Sequence, residues 1–382
     1  MRTSIALVTL AVASPAFAQT VPTTRLGRPD AAFPEPFSRV MGVRELPDGR
    51  LVISDNLEKN VALLDFASGD LTRIGREGQG PGEYTSPGTL YAMPGDSALL
   101  VDMGNMRGLV IAPNGEVGRA VPFQRGEGLG SLFFPRAVDS RGRIYSQTNI
   151  SFRDGAPQQA DSMPIVRLDP TTDALDTVAW MPSPRMSIQT GGVARSGGVS
   201  VRMGTEPYQA TDAWAIAPDG RVALVRAKEY RVEWLAPGGR RTVGPTLPYD
   251  AVKIGKAEKD EWVNRPTQSA TMRVGGQGAR TIAMPRPNAD EVTWPEAKPP
   301  FEGAVSIATT GEVWIRTSQR AGVTTALYDV VDARGQLVAR IQLPEGRRLI
   351  GFGKGTLYTL NRDADDLEWL ERYRLPGTRG QT

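Results

Sequence analysis

The sequence predicts an all-β fold, a six-bladed β-propeller, and two observations support this prediction. First, short apolar runs are joined by tight polar turns. In residues 37–88, for example, Asp48-Gly49 separates two such runs, and this dipeptide favours a hairpin because both residues tolerate positive φ. Second, the pattern occurs six times at the spacing of propeller blades. The six turns are centred on Gly49, Asp96, Gly142, Gly220, Gly311 and Gly355.

Each repeat supplies three or four β-runs, which form a small sheet that cannot bury both of its faces alone. Radial closure buries those faces against neighbouring sheets and protects the sheet edges. A pair of β-sandwiches would not explain six aligned copies, and the spacing is too long for the rungs of a β-helix. The sixth repeat lacks an outer strand, and we expect residues 20–26 to supply it and so join the two chain ends.

Two long insertions interrupt the repeats, and we expect both of them to lie over one face of the ring. Residues 185–206 are rich in Gly, Ser and Arg, and within them residues 186–188 can pair with residues 199–201 as a hairpin. Residues 250–300 begin with a helical pattern over 256–264, which ends before a proline. Loops of this length in a compact domain are usually lids or binding loops.

The composition excludes several classes of function. The chain of 382 residues has 45 basic and 42 acidic residues, a formal net charge of +3 and no long basic run, which argues against nucleic acid as a partner. It contains no His and no Cys, which excludes a Ser-His-Asp triad, a Cys nucleophile, a His- or Cys-bound zinc ion and a disulfide. We expect no cofactor, and a metal ion would have to be a hard, oxygen-bound ion such as calcium.

Residues 1–18 have the pattern of a signal peptide, and the propeller is expected over residues 19–382. A positively charged start precedes a short apolar run over residues 5–13, and Ala16-Phe17-Ala18 fits a cleavage site. No later stretch is apolar enough to span a membrane. We therefore expect an exported protein in a periplasmic or extracellular space, without a membrane span.

Four stretches of the chain carry a resemblance to a known family. They are Asp48-Gly49-Arg50-Leu51-Val52-Ile53-Ser54-Asp55-Asn56, Leu100-Val101-Asp102 with Asn105 and Arg107, residues 75–84, and Asn361-Arg362-Asp363 with Tyr373-Arg374-Leu375. The chain resembles the six-bladed β-propellers of the NHL and TolB-like superfamily, and more closely the exported bacterial six-bladed propeller proteins of unknown function. The resemblance implies the fold over nearly all of the mature chain, and it implies no particular activity.

Six-bladed lactonases that resemble this fold hold calcium at the central channel through Glu, Asn and Asp. The chain offers Asp55, Asp102, Asn149 and Asn361 for such a site, but it has no matched Glu and places Arg at other candidate positions. A calcium-assisted hydrolase or lactonase is therefore our alternative function. A purely scaffolding protein of the envelope is a third hypothesis.

A polar residue stands six positions after each turn centre. These residues are Asp55, Asp102, Thr148, Arg226, Thr317 and Asn361. Because each follows a β-run, we expect these strand ends to meet at one rim of the ring, beside the crossovers from outer to inner strands. Asp and Asn at such positions either bind a ligand or cap turns through the backbone, and Arg226 cannot cap a turn in that way.

We expect basic and aromatic residues at the same rim, both at the strand ends and in the crossovers. The second insertion contributes a further basic residue, Arg265. Guanidinium groups bind carboxylate or phosphate with two hydrogen bonds. We therefore predict a binding module rather than an enzyme, with a small anionic ligand or an extended peptide or protein segment at the mouth of the ring. The alternative is that these arginines are solvated or form salt bridges. The candidate ligand-binding residues are Arg136, Arg226, Arg316, Arg362, Tyr208, Asp55, Asp102 and Asn361.

Overall fold

The computed structural model describes ten stretches of the chain. They are residues 21–125, 132–147, 151–153, 156–158, 160–193, 199–265, 271–272, 280–281, 289–303 and 305–376. Within them, six sheets each contain four antiparallel strands. In five of these sheets the four strands follow one another in sequence order, and in the last sheet the outer strand comes from the N-terminal segment. The first strands of the first five sheets lie against one another in succession, and the first strand of the first sheet also contacts the first strand of the last sheet. The fifth and sixth sheets share an apolar cluster. The sheets therefore surround a common centre, and the predicted six-bladed β-propeller is confirmed.

The first three blades run from an inner first strand to an outer fourth strand. Blade 1 consists of Val40–Glu45, Leu51–Asp55, Asn60–Leu64 and Leu71–Arg73. Blade 2 consists of Pro87–Ala92, Ala98–Asp102, Arg107–Ile111 and Val117–Pro122. Blade 3 consists of Ala137–Val138, Ile144–Gln147, Ser162–Asp169 and Ala174–Pro182.

The last three blades follow the same plan, and two of them include a strand from the N-terminal segment. Blade 4 consists of Ala213–Ile216, Val222–Arg226, Arg231–Leu235 and Arg241–Val243. Blade 5 consists of Ser306–Ile307, Val313–Arg316, Leu327–Val331 and Leu337–Gln342, with Thr23–Arg25 as a fifth strand. Blade 6 consists of Arg347–Phe352, Thr356–Arg362, Glu368–Arg374 and Ala31–Ala32.

The core consists of six apolar clusters, one between each pair of adjacent blades in the described part of the chain. Each blade is therefore covered on both faces. This explains the second strands of blades 1 and 2, Leu51–Asp55 and Ala98–Asp102, in which every residue is buried. Alternation of apolar and polar residues is the mark of a strand with one solvated face, and it is absent from these two strands.

The N-terminal segment closes the ring, but the expectation that residues 20–26 form the outer strand of blade 6 is wrong. Thr23–Arg25 pairs in parallel with blade 5, and Ala31–Ala32 pairs antiparallel with the third strand of blade 6. The physical reason is apolar anchoring. Phe33 and Phe37 are 1% and 6% exposed and pack between blades 6 and 1, and only the segment next to them is held at that edge.

The insertions contain most of the remaining elements. The helix predicted over 256–264 is observed as Lys256–Val263, followed by a short 3₁₀ helix, Ala289–Glu291. The predicted hairpin of the first insertion is observed as Met186–Val193 paired with Val199–Thr205. Smaller strand pairs are Arg76–Glu77 with Glu83–Tyr84, Ser151–Arg153 with Ala156–Gln158, and Thr271–Met272 with Arg280–Thr281. Neither helix of the described chain has the length and apolarity to cross a membrane.

Candidate functional site

The second strands of the blades end on the face that carries the crossovers, and we call this face the crossover rim. In blade 1, Asp55 ends the second strand and is 2% exposed. One oxygen of its carboxylate accepts the backbone N–H groups of Ser38 and Arg39 in the crossover, at 2.7 and 3.1 Å. The other oxygen accepts those of Leu57 and Glu58 in the following turn, at 3.0 and 3.1 Å. The carboxylate therefore ties the crossover to the turn.

Asp102 occupies the equivalent position in blade 2 and is fully buried. It accepts the N–H groups of Thr85 and Ser86 at 3.2 and 2.9 Å, and the side-chain amide of Asn105 at 2.7 Å. The capping alternative thus describes the geometry of both aspartates. Ligand binding by Asp55 or Asp102 stays a prediction, and the hydrogen bonds of these two carboxylates do not support it.

Among the described residues, the remaining polar ring positions do not assemble a calcium site with these aspartates. Asn361 is half-buried on the second strand of blade 6, while Thr148 and Asn149 lie outside the described residues. Among the residues that the structure describes, no group of three or more acidic side chains is placed to hold a metal ion. Since the oxygens of Asp55 and Asp102 already accept N–H groups, these two aspartates are poor candidates for calcium ligands.

A cavity of about 540 Å³ opens on the crossover rim between blades 3 and 4, and we call it the rim pocket. The crossover into blade 5 and the insertion helix complete its wall. Its large apolar side chains are Met163, Met181, Tyr208, Trp214, Trp262 and Phe301. Its charged side chains are Arg136, Glu206, Asp212, Arg265 and Glu302. Its volume lies within the range of about 300–1,000 Å³ that is typical of small-molecule sites.

Arg136 is held at this pocket by neutral neighbours. It directly precedes the first strand of blade 3, and its guanidinium carbon lies 5.4 Å from the ring centre of Trp214. Its Nη1 donates to Oε1 of Gln147 at 3.1 Å, and Nε1 of Trp214 donates to the same oxygen at 2.7 Å. Partial burial lowers the pKa of Arg136, but an arginine stays protonated in proteins. The result is an oriented guanidinium that keeps its full charge.

The other basic groups at the pocket are neutralised by carboxylates. Arg265 pairs with Glu302 at 2.9 Å. Arg226, which ends the second strand of blade 4, pairs with Asp212 at 2.8 Å and with the buried Glu233 at 2.9 Å. Arg136 and Glu206 thus remain as the two charged lining residues without an ion-pair partner in the described part of the chain.

The insertion helix is fixed beside the pocket by buried polar contacts. Tyr208 donates its hydroxyl proton to the carbonyl of Glu258 at 2.6 Å, and burial raises the pKa of this hydroxyl. Lys298 is 4% exposed and lies 4.8 Å from the Tyr208 ring centre, and its Nζ pairs with Glu261 at 2.9 Å. Tyr208 also has a φ of 48°, a left-handed conformation that is uncommon for a bulky residue.

Glu258 ties the same helix to blade 5. Its carboxylate accepts the N–H of Ala321 at 3.2 Å and the N–H of Gly255, at the helix start, at 3.0 Å. These hydrogen bonds hold the pKa of Glu258 below its ordinary value. The helix that carries Trp262 is therefore anchored by a carboxylate that must be ionised.

The four arginines predicted for the mouth do not form one cluster. Arg136 lines the rim pocket, and Arg226 is bound to carboxylates of its own blade. Arg362 pairs with Asp366 at 3.1 Å in its own hairpin, and both side chains are largely exposed. Arg316 is exposed at the end of the second strand of blade 5, with no carboxylate partner among the described residues. Of the predicted candidates, Arg136 and Tyr208 are brought together at one cavity.

Sequence reasoning missed several residues of the pocket. Gln147 and Trp214 are strand residues, whose types do not distinguish packing from function, and Trp262 lies on the insertion helix. The usable signal was Tyr208, the aromatic candidate that follows Pro207 in a crossover, because it marks a bulky ring at a strand entrance. It indicated the correct crossover but not the side chains that face it.

No protein-family model matches the chain, and no curated protein sequence matches it. Solved structures are similar to it in overall fold. A member of the DUF4221 family from Bacteroides vulgatus has 9% identity and a TM-score of 0.45, with 90% of this chain and 94% of that chain covered. A gluconolactonase from Xanthomonas campestris has 13% identity and a TM-score of 0.44, with 90% and 91% covered. A PQQ-bound aldose sugar dehydrogenase from Streptomyces coelicolor has 15% identity and a TM-score of 0.42, with 91% and 97% covered. At these low identities the likeness concerns the fold alone.

Proposed function

We propose that this protein is an exported binding module that holds a small anionic ligand, or the charged end of an extended peptide, in the rim pocket. The observation that carries the proposal is Arg136, a cation without a carboxylate partner in the described chain, placed at an aromatic wall. A charge-assisted hydrogen bond to a carboxylate is roughly twice as strong as a neutral one. The pocket therefore has both an anchor for an anion and apolar surface for the rest of the ligand.

The anchor is ordered before a ligand arrives. Gln147 and Trp214 restrict the rotamers of Arg136 without cancelling its charge, since neither carries a charge of its own. Ordering a flexible side chain during binding costs about 0.5–1.5 kcal/mol, and this cost is reduced here. This arrangement supports a ligand site more than a scaffold contact, in which the guanidinium would face a carboxylate.

Export is part of the proposal and rests on residues 1–18, which lie outside the described residues. Cleavage after Ala18 would leave Gln19 as the first residue of the mature protein. Mass spectrometry of the exported protein should therefore find Gln19, or its pyroglutamate, at the N-terminus. A mature product that still begins at Met1 would contradict the proposal of export.

Binding can be tested through the intrinsic fluorescence of Trp214 and Trp262, which line the pocket. The probes are benzoate and 3-phenylpropanoate, each compared with its neutral amide. We expect saturable binding of the carboxylates, and Arg136→Gln should weaken it by about tenfold or more, the loss of one charge-assisted hydrogen bond. Arg362→Gln is the matched control, because Arg362 is exposed away from the pocket. If both variants bind like the parent, or if the amides bind as tightly as the carboxylates, Arg136 is not an anion anchor.

A further inference from the structure

The charged residues that line the rim pocket differ in whether they have an ion-pair partner, and this difference constrains the charge of the ligand. Arg265 and Glu302 cancel each other as an ion pair, and Asp212 is cancelled by Arg226 behind it. Two lining charges of opposite sign are left, Arg136 and Glu206, and neither has an ion-pair partner in the part of the chain that the structure describes. The uncompensated charge of the pocket is therefore one positive and one negative group.

This balance argues against ligands with several negative charges. A phosphate ester or a polyanion would gain a single free cation at Arg136 while meeting the uncompensated carboxylate of Glu206 in the same cavity. Like charges brought together at an interface repel each other and weaken binding. A simple monoanion satisfies Arg136 but leaves Glu206 unpaired. A ligand that carries one carboxylate and one ammonium group satisfies both.

The remaining wall suits apolar side chains and an ammonium group. Met163 and Met181 are flexible apolar side chains that adapt to different shapes. Trp262 is held edge-on by Trp294, with their ring centres 5.5 Å apart, so its orientation is set by packing. Aromatic faces also attract ammonium groups, because the negative face of the ring faces the cation.

We propose that the ligand of the rim pocket is a zwitterion, a free amino acid or a short peptide with two charged ends, whose carboxylate binds Arg136 and whose ammonium group binds Glu206. The apolar side chain of the ligand then lies against the aromatic and methionine wall. This inference rests on the proposed binding function of the same pocket and specifies the chemical class of the ligand.

The experiment compares matched probes that differ only in their charged ends. One set is phenylalanine, 3-phenylpropanoate and 2-phenylethylamine. The other set is the tripeptide Phe-Ala-Phe with free ends, its N-acetyl form and its C-terminal amide. In the free tripeptide the two charges lie further apart than in phenylalanine. Affinities are measured by titration calorimetry on the full mature chain and on Arg136→Gln and Glu206→Gln. Glu116→Gln is the control, because Glu116 is an exposed carboxylate on a turn of blade 2.

In at least one set, the zwitterion should bind about tenfold or more tightly than either singly charged analogue. Arg136→Gln should reduce it to the affinity of the amine or amide form, and Glu206→Gln to that of the carboxylate form, while Glu116→Gln changes neither. If the carboxylate-only probes bind as tightly as the zwitterions and Glu206→Gln has no effect, the zwitterion inference is overturned and the binding of anions at Arg136 still stands. If no probe of either set binds, 3-phenylpropanoate included, the zwitterion inference and the anion site at Arg136 are both overturned.

Discussion

Blades 1 and 4 tie their crossovers to the rim in opposite ways. In blade 1 the acceptor is Asp55 at the end of the second strand, and the donors are backbone N–H groups of the crossover. In blade 4 the acceptor is Asp212 in the crossover. Its donors are the N–H of Ala227 at 2.9 Å and Nη1 of Arg226 at 2.8 Å, both at the end of the second strand. The acceptor carboxylate therefore lies at the strand end in blade 1 and in the crossover in blade 4.

This difference between the blades bears on where the crossovers contact the strand ends through backbone groups and where the rim pocket lies. A short Asp side chain that accepts backbone N–H groups brings the crossover into contact with the strand end, as in blades 1 and 2. At blades 3 and 4 the strands end in Gln147 and Arg226, whose long side chains reach other side chains instead. The crossover into blade 4 is still bound to its strand end through Asp212 and Ala227. At blade 3, in contrast, the strand end Gln147 binds Arg136 and Trp214, which line the rim pocket.

The first prediction, with the largest expected effect, concerns the contact that Asp55 makes in blade 1. Asp55→Ala removes the acceptor of four backbone N–H groups at a buried site. We expect a loss of about 2–4 kcal/mol in the free energy of unfolding, because buried donors are left without partners. Denaturation in urea measures this loss. Asp48→Ala is the control, since Asp48 is a half-exposed turn residue, and a midpoint for Asp55→Ala equal to that of the control would refute the capping role.

The second prediction concerns Gln147, at the end of the second strand of blade 3 beside the rim pocket. Gln147→Glu keeps the shape and the acceptor oxygens that hold Arg136 and Trp214, but it places a carboxylate on the free guanidinium. We expect the affinity for 3-phenylpropanoate to fall by about tenfold or more, while the thermal midpoint is unchanged or higher. Fluorescence titration and a melting curve of the same sample test both statements. Unchanged affinity would show that the charge of Arg136 does not contribute to binding.

The smallest effect concerns the anchoring of the insertion helix by Glu258. Because hydrogen bonds hold the pKa of this carboxyl below the ordinary value of 4.5, its stabilising contribution is complete above that pH and is lost as the pH falls through the folded-state pKa. As the pH falls below 4.5 and through the folded-state pKa, the helix should loosen and the emission of Trp262 should shift to longer wavelength. Glu258→Gln should lack this acid transition. A transition of the same size in that variant would assign it to other carboxyls.

Local patterns predicted the elements that depend on neighbouring residues. The turn glycines, the helix at Lys256–Val263 and the hairpin of the first insertion all follow from short-range composition. The outer strand of blade 6 was misplaced, because residues 20–26 and Ala31–Ala32 are both short and weakly patterned. Their difference is that Phe33 reaches a core cluster between blades 6 and 1. That contact joins residues separated by most of the chain, and no local pattern records it.

The sequence by itself determined the repeat, the number of blades and the exclusion of His and Cys chemistry, since these follow from the order and types of residues. Only the tertiary structure decided which charges remain free. Asp55, Arg226 and Arg136 all look like rim candidates in the sequence, yet the first caps backbone, the second is neutralised and the third is held by a neutral amide. The physical reason is that a charge is available to a ligand only if no nearby group already compensates it, and the nearby groups come from distant parts of the chain.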